Sequence, residues 1–290
     1  MRKILSVCWP WDHGRFTQKQ VVERALDLGA SELCIRTPSR TALYAAAWHD
    51  QLALLAQDAG IDLSIWPVVA LEQPEKEASA IQEAIARYMP TRVVLDAEIK
   101  PWIVNLPRFL LAIGRLSVPV GLGSFRRANL HPEMRWQTWW TAKAQTGEFI
   151  LDFVAMQLYP IGWLKPTNWA TQTELDVNSH EAELQKAGRT GLPWLPWMPA
   201  FIGGTYEGQK TPWIPTAEGV ATQIAFLQKR LGERLLGLNW WSLDQNLVDI
   251  PGLYAYVKSL PGEASPPVPL TLEQRVSHIE TEARAHGWSL

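Results

Sequence analysis

The chain has 290 residues, of which 47% are hydrophobic, and its 27 basic and 29 acidic residues give a net charge of −2. This balance gives no electrostatic reason to expect nucleic acid or an anionic membrane as a partner, and a neutral substrate fits better. No apolar run approaches the roughly 20 residues of a membrane span, and the apolar start is broken at residues 9–12, before it could form a secretory signal.

Short apolar runs alternate with longer helical patterns along most of the chain. The runs predicted as strands are 4–9, 33–36, 62–69, 93–98, 118–123, 153–158, 194–198 (despite its proline content) and 236–241. Helical spacing is found between them, at 18–28, 43–59, 75–88, 106–116, 136–146, 174–187 and 216–231. Strands that alternate with helices form parallel sheets, so eight strands in this order predict an α/β fold, the closed (β/α)8 or TIM barrel.

The alternation stops after Tyr256. Residues 261–270 are rich in proline and predict a semi-rigid linker. Four apolar residues beyond the linker share a helical spacing: Leu272, Val276, Ile279 and Ala283. We therefore expect a barrel over 1–260, a linker over 261–270 and a short helix over 271–290. Its apolar stripe could pair with a second copy of the chain or fold back on the barrel.

Polar and aromatic residues follow five of the predicted strands, at the end where barrels of this kind carry their active sites. They are Trp11 and Asp12 after the first strand, Asp96 and Glu98 on the fourth, Arg126 after the fifth, Gln157 and Tyr159 on and after the sixth, and Trp241 and Asp244 on and after the eighth. Strand ends from distant parts of the sequence would then meet at one mouth. Tryptophan also has a flat apolar face that suits stacking on sugar rings.

The triplet Asp96-Ala97-Glu98 places two carboxyl groups where a buried strand meets a loop. Because side chains alternate along a strand, both carboxyls project to one side, with Cα atoms roughly 6 to 7 Å apart. Two close carboxyls oppose each other's ionisation, which raises one pKa and leaves the other group charged, as an acid catalyst of glycoside hydrolysis requires. The alternative is a strand-end pair that makes loop hydrogen bonds or salt bridges.

Three segments resemble strands of glycoside hydrolase family 18, the chitinase-like barrels. They are VVLDAE at 93–98, MQLY at 156–159 and GLNWWSLD at 237–244. Glycoside hydrolase family 25, the lysozyme-like muramidases, also carries an Asp-x-Glu pair on the corresponding strand. The segments GLGSFRR at 121–127 and HPEMRW at 131–136 are similar to poorly characterised bacterial and phage barrels grouped with these hydrolases.

The family 18 resemblance implies that Glu98 protonates the leaving oxygen. Asp96 would orient or balance charge on the acetamido group of the substrate, which acts as nucleophile, and Tyr159 would hydrogen-bond that group. Trp241 would form an apolar floor. Family 18 usually carries a further Asp at the position that is Val94 here.

The family 25 resemblance implies the same role for Glu98, with Asp96 stabilising positive charge at the sugar. That family uses an Asp near the end of the first strand, where this chain offers Asp12. In either case we expect Gln157, Trp11 and Asp244 to contact the sugar. Arg126 would contact a carboxylate on a muramyl or uronic sugar, unless it is a solvated loop residue.

The sequence therefore predicts a glycoside hydrolase that cleaves a polysaccharide of N-acetylated amino sugars, of the peptidoglycan or chitin type. No cofactor or metal ion is expected, because the two cysteines, Cys8 and Cys34, fall in predicted strands as free buried thiols. The alternative is a non-catalytic glycan-binding or structural barrel, which Val94 and the C-terminal stripe motivate. Without a recognisable signal we expect a cytoplasmic protein, or one released as a phage lysis or virion-associated protein.

Overall fold

The predicted barrel is confirmed by a computed structural model, which describes residues 2–7, 15–43, 46–98, 102–159, 168–200, 202, 214–243 and 247–262. The strands are β1 (Arg2–Val7), β2 (Glu32–Ile35), β3 (Asp62–Ile65), β4 (Val93–Asp96), β5 (Val120–Gly123), β6 (Phe153–Val154), β7 (Trp197–Pro199) and β8 (Gly237–Trp241). The predicted linker and C-terminal helix lie outside the described residues, apart from Pro261 and Gly262.

The strands form one parallel sheet in the order β6-β5-β4-β3-β2-β1-β8-β7. Backbone hydrogen bonds also join its two ends. The N–H of Leu195 donates to the carbonyl of Val154 at 2.7 Å, that of Trp197 to Met156 at 3.0 Å, and that of Leu158 to Trp197 at 3.0 Å. The sheet therefore closes on itself, and its carboxyl ends surround one mouth.

Eight α-helices surround the sheet in the described part of the chain. They are α1 (Gln18–Asp27), α2 (Ala46–Asp58), α3 (Pro74–Tyr88), α4 (Leu106–Ile113), α5 (Trp136–Thr141), α6 (Trp169–Lys186), α7 (Ala217–Leu231) and α8 (Leu253–Ser259). None of these helices is long and apolar enough to cross a membrane. The first seven match predicted segments, whereas α8 was not predicted.

Helix α8 is short, and it is held by two buried residues one turn apart, Leu253 and Val257. The buried ammonium group of Lys3 donates to the carbonyl of Lys258 at 3.3 Å and to that of Leu28 at 2.9 Å. These carbonyls lie at the C-terminal ends of α8 and α1, where backbone acceptors have no partner within the helix. The lysine thus joins both helix ends to β1.

Helix α6 begins five residues before the predicted start at 174. Its first residue, Trp169, is buried against α7, where a Cβ atom on Gly219 would lie only 2.3 Å from the indole ring. The tryptophan therefore packs directly on the backbone of the next helix. This tertiary contact extends the helix beyond what local spacing indicates.

Alternate side chains of the strands point into the barrel. An inner apolar cluster includes Ile4, Cys34, Trp66, Val94, Phe153, Leu195 and Trp197. The ring of Phe153 fits because β5 has no side chain at Gly121, where a Cβ atom would lie 2.1 Å from it. Cys34 is a buried free thiol, as predicted, and burial raises its pKa to about 12. The same prediction for Cys8 concerns a residue outside the described part of the chain.

Ion pairs close the amino end of the barrel below this cluster. The fully buried carboxylate of Glu32 lies 3.4 Å from the guanidinium of Arg2 and 3.0 Å from that of Arg92, and Arg2 also reaches Asp62 at 3.3 Å. Each of these residues is two positions before an interior residue of its strand. The same alternation continues upward to the carboxyl end, where the candidate site lies.

Candidate active site

Asp96 and Glu98 lie at the carboxyl end of β4, and backbone pairing fixes both sides of this segment. The N–H of Asp96 donates to the carbonyl of Pro67, and the N–H of Ala97 donates to that of Gly123, both at 2.9 Å. Ala97 is buried in the core between the sheet and the helices. The extended alternation therefore directs Asp96 and Glu98 to the inner face, at the mouth of the barrel.

Asp96 holds a proton more tightly than an ordinary aspartate. Burial and the neighbouring charge of Glu98 raise its pKa to about 7, while the Trp66 indole and the positive charge of Arg36 oppose the shift. The residue is half-buried, but its Oδ1 atom is inaccessible and has no hydrogen-bond partner among the described residues. Near neutral pH this carboxyl is therefore partly protonated.

Glu98 projects further into the mouth, and its side chain is exposed. Its Oε1 atom accepts a hydrogen bond from the side-chain amide of Gln157, on the loop after β6. The protein still displaces enough water to raise the pKa of Glu98, although Gln157, His131 and Arg36 favour the charged form. The site thus holds two carboxyls that both keep protons to higher pH than usual.

An aromatic wall stands beside the carboxyls. The rings of Tyr159 and Trp241 stack with centroids 5.6 Å apart and planes 20° apart. The ring of Trp66 contacts two other rings edge-on, with its centroid 4.4 Å from that of Trp197 and 6.2 Å from that of Trp241. Four aromatic side chains on or after β3, β6, β7 and β8 therefore form one cluster, in which Trp241 is partly exposed and the other three are buried. Tyr159 and Trp241 lie together as the sequence predicted.

Val94 lies below the carboxyls in the inner apolar cluster, together with Trp66, Tyr159 and Trp197. The Val94 side chain packs closely against β5, because a Cβ atom on Gly123 would lie only 3.0 Å from the Cγ1 atom of Val94. The space beneath Asp96 is thus apolar. Burial there is the largest cause of the raised pKa of Asp96.

Arg126 contacts the backbone beneath the aromatic wall. Its guanidinium donates to the carbonyl of Tyr159 at 3.2 Å and pairs with the buried carboxyl of Asp176 at 3.2 Å. It also donates to Gln172 at 3.2 Å, and Arg127 joins the same Asp176 at 2.6 Å. In the structure Arg126 therefore positions Tyr159, a role that the sequence did not suggest, and its contact with a substrate carboxylate stays a prediction.

The predicted sugar contacts Trp11, Asp12 and Asp244 lie outside the described residues. Two residues that sequence reasoning missed belong to the site, namely Arg36 and Trp66. Each lies two residues beyond an inward-facing residue of its strand, in the series Glu32-Cys34-Arg36 along β2 and Asp62-Ser64-Trp66 along β3. This spacing of two is the signal in the sequence that could have identified them.

His131 also lies close enough for its charge to lower the pKa of Glu98. Its ring stacks on that of Phe125 with centroids 3.7 Å apart, and its Nδ1 atom lies 3.1 Å from Oε1 of Glu133. Within the described residues there is no group of three or more His, Cys, Asp or Glu side chains arranged to hold a metal ion.

No protein-family model and no curated protein sequence matches the chain. Solved structures match it in fold. Domain 2 of a thermostable chitinase from Pyrococcus furiosus aligns with a TM-score of 0.61 and 12% identity, over 100% of this chain and 97% of that one. The chain has the barrel fold of this enzyme.

Two further solved structures have the same architecture. A chitinase of glycoside hydrolase family 18 from Cycas revoluta has a TM-score of 0.59 and 10% identity, over 89% of this chain and 99% of its own. The spore cortex-lytic enzyme SleL from Bacillus megaterium has a TM-score of 0.56 and 9% identity, over 91% of this chain and 75% of its own. The TM-scores show that the chain shares the fold of these proteins, and at identities of 9 to 12% the likeness shows the fold alone.

Proposed function

We propose that the chain is a glycoside hydrolase that cleaves a polysaccharide containing N-acetylated amino sugars. Glu98 is the general acid, and Asp96 is the assisting carboxylate. The observation that carries the proposal is the position of the two carboxyls, which lie at the mouth beside the stacked rings of Tyr159 and Trp241, with both pKa values raised.

Burial raises the pKa of Glu98, which favours the protonated form that a general acid needs, and its exposed side chain can reach the glycosidic oxygen. As that proton moves, the bond from the oxygen to the sugar carbon breaks, and positive charge develops on the sugar ring. A carboxylate beside the ring stabilises this charge until a water molecule adds to the sugar carbon and gives a proton to one of the two carboxyls. In the reacting form Asp96 is the charged carboxylate and acts either directly or through the acetamido group of the substrate, and the hydrogen bond from Gln157 orients Glu98.

The class of substrate is supported by the aromatic wall and by the structural neighbours. Flat aromatic faces bind the apolar faces of sugar rings. The Pyrococcus furiosus chitinase was crystallised with chito-oligosaccharides, and the Cycas revoluta chitinase with (GlcNAc)4. SleL is a spore cortex-lytic enzyme. Chitin and peptidoglycan are therefore the polymers to test first.

A non-catalytic glycan-binding barrel is the second candidate. The observation in its favour is Val94, which occupies with an apolar side chain the position where family 18 usually carries a further Asp. Such a module would use the aromatic wall for binding and would not transfer a proton.

One experiment separates the two candidates. The protein is incubated with insoluble chitin, with purified peptidoglycan and with chito-oligosaccharides, and both retention and new reducing ends are measured. We expect retention together with new reducing ends on at least one polymer. Retention without new reducing ends would favour the binding module, and the absence of both would contradict both candidates.

A further inference from the structure

Helix α6, on the outside of the barrel, holds the loop that follows β5 by its backbone. Nε2 of the buried His180 donates to the carbonyl of Phe125 at 3.0 Å. Three residues along the loop, the backbone N–H of Ala128 donates to the hydroxyl of Ser179 at 2.9 Å. The loop residues between these two bonds, Arg126 and Arg127, are therefore fixed against the helix.

Asp176 is the buried anion of this contact. Its side chain is only 2% exposed, and Nε of Arg127 donates to its Oδ1 atom at 2.6 Å. Nε of Arg126 lies 3.2 Å from its Oδ2 atom. A buried ion pair adds little net stability compared with apolar packing, because both charges lose their water. It does supply direction, since charge-assisted hydrogen bonds have a defined geometry.

Arg126 extends this contact from α6 into the site. All three nitrogens of its guanidinium are used, with Nε facing Asp176, Nη2 donating to Gln172 and Nη1 donating to the carbonyl of Tyr159, each at about 3.2 Å. The ring of Tyr159 stacks on that of Trp241. One side chain therefore links the buried carboxyl on α6 to the stacked pair at the mouth.

The backbone before Tyr159 has other anchors. The N–H of Leu158 donates to the carbonyl of Trp197 at 3.0 Å, and the carbonyl of Leu158 accepts a hydrogen bond from Gln223 of α7 at 2.8 Å. Loss of the link through Arg126 should therefore leave the chain in place up to Leu158 and act on Tyr159.

We propose that Asp176 is a positioning residue for the hydrolysis proposed above: through Arg126 it sets the place of Tyr159, and through the stacked rings that of Trp241. The effect on turnover rests on the proposed function. The effect on the stacked rings does not, because it is measured without substrate.

The first test follows the stacked rings by near-ultraviolet circular dichroism. The contribution of Trp241 is the difference between a protein and its Trp241→Phe counterpart, recorded for the wild type, Asp176→Ala and Glu181→Ala. Asp176→Ala should lose about half or more of this difference signal, because the stacking geometry is no longer fixed. Glu181→Ala is the matched control and should keep it. Glu181 also lies on α6 and pairs with an arginine, but that partner, Arg234, precedes β8 at the amino end of the barrel.

The second test is a double-mutant cycle on kcat/KM with chito-oligosaccharides. Asp176→Ala should lower kcat/KM by about tenfold or more in the wild type and by less than about threefold in Tyr159→Ala, because its effect passes through that ring. A merely structural role would lower both backgrounds equally. Glu181→Ala should keep the wild-type value.

If Asp176→Ala alone does not fold, Asp176→Ala with Arg127→Met removes one charge of each sign and carries the same expectation against Arg127→Met. A Trp241 signal that is unchanged in Asp176→Ala, or lowered equally in Glu181→Ala, would overturn the inference. A wild type without hydrolysis would instead contradict the proposed function, and the Trp241 signal would still decide whether Asp176 positions the stacked rings.

Discussion

The side-chain amide of Gln157 donates a hydrogen bond to Oε1 of Glu98. Glu98 follows β4 and Gln157 follows β6, so the bond crosses the end of β5. It favours the charged form of Glu98 and fixes the direction of the carboxyl. Gln157, which the sequence suggested as a sugar contact, therefore also orients the proposed acid.

Gln157→Leu should lower kcat by roughly tenfold or more, because a hydrogen bond to a charged group is worth about 1.5 to 3 kcal/mol. KM for chito-oligosaccharides should change less than kcat, since the orientation matters most when the proton is transferred. Gln137→Leu is the matched control, because its amide donates to Glu183 at 2.8 Å on the outer helices. Equal kcat values in the two variants would remove the orienting role.

Asp96→Asn should stabilise the protein above neutral pH. Since folding raises the pKa of Asp96 to about 7, the folded state loses stability as pH rises from the unfolded pKa of about 4 to this value. The amide does not ionise and avoids this loss. We expect a gain on the order of 1 to 3 kcal/mol at pH 8, and none at pH 4, in urea unfolding.

The control for this experiment is Asp27, whose pKa is shifted by folding in the opposite direction. Lys258 and Tyr254 hydrogen-bond to Asp27 and lower its pKa. Its stabilisation is present above the unfolded pKa and is lost as pH falls through the folded one. Asp27→Asn should therefore be no more stable than the wild type at pH 8. A matching gain in both variants would show that the effect is not specific to the buried carboxyl.

Substitutions at the stacked residues Tyr159 and Trp241 should affect substrate binding and turnover differently. Trp241→Ala removes a wall residue, and the dissociation constant for chito-oligosaccharides should rise by about tenfold, as expected for the loss of a stacking contact of about 1.4 kcal/mol. Trp241→Phe should keep most of the affinity. Tyr159→Phe keeps the ring and should mainly lower kcat. Isothermal titration beside steady-state kinetics checks this division, and a Trp241→Ala variant that binds normally would contradict the sugar-facing wall.

Glu77 should matter for stability, because its carboxylate organises the loop after β3. The donors are the backbone N–H groups of Ala70, Leu71, Glu72 and Gln73, at 2.7 to 3.1 Å. Glu77→Gln replaces one acceptor oxygen by a donor that faces two N–H groups, which should cost about 2 to 4 kcal/mol in urea unfolding. Glu83→Gln, on the exposed face of the same helix α3, should cost less than about 0.5 kcal/mol. Similar losses in both would exclude the buried bonds as the cause.

The order of elements could be predicted because hydrophobic runs and helical spacing are local signals. All eight strands and seven of the helices were found in this way. Helix α8 was missed because only Leu253 and Val257 mark its buried side, and its end is fixed by Lys3 from the other end of the chain. The early start of α6 was missed for a related reason, since it depends on the contact of Trp169 with Gly219.

The carboxyl pair could be predicted because residues two apart on a strand share a face. The partners of a side chain could not, because they come from other strands. Arg126 is a basic residue that follows a strand, as a substrate-binding residue would be. Its guanidinium nevertheless contacts Asp176, Gln172 and the carbonyl of Tyr159. Arg36 was overlooked because the spacing of two along a short strand is a weak signal until the barrel brings the arginine to Trp66.

The central claim is that Glu98 is the general acid, and the most direct test compares turnover with binding in Glu98→Gln. Once a cleaved substrate is identified, kcat should fall at least ~10²-fold, while the dissociation constant for the oligosaccharide stays within about threefold of the wild type. Glu72→Gln, a surface carboxyl that pairs with Arg40, is the control and should keep full activity. A Glu98→Gln protein that turns over substrate at the wild-type rate would contradict the assignment.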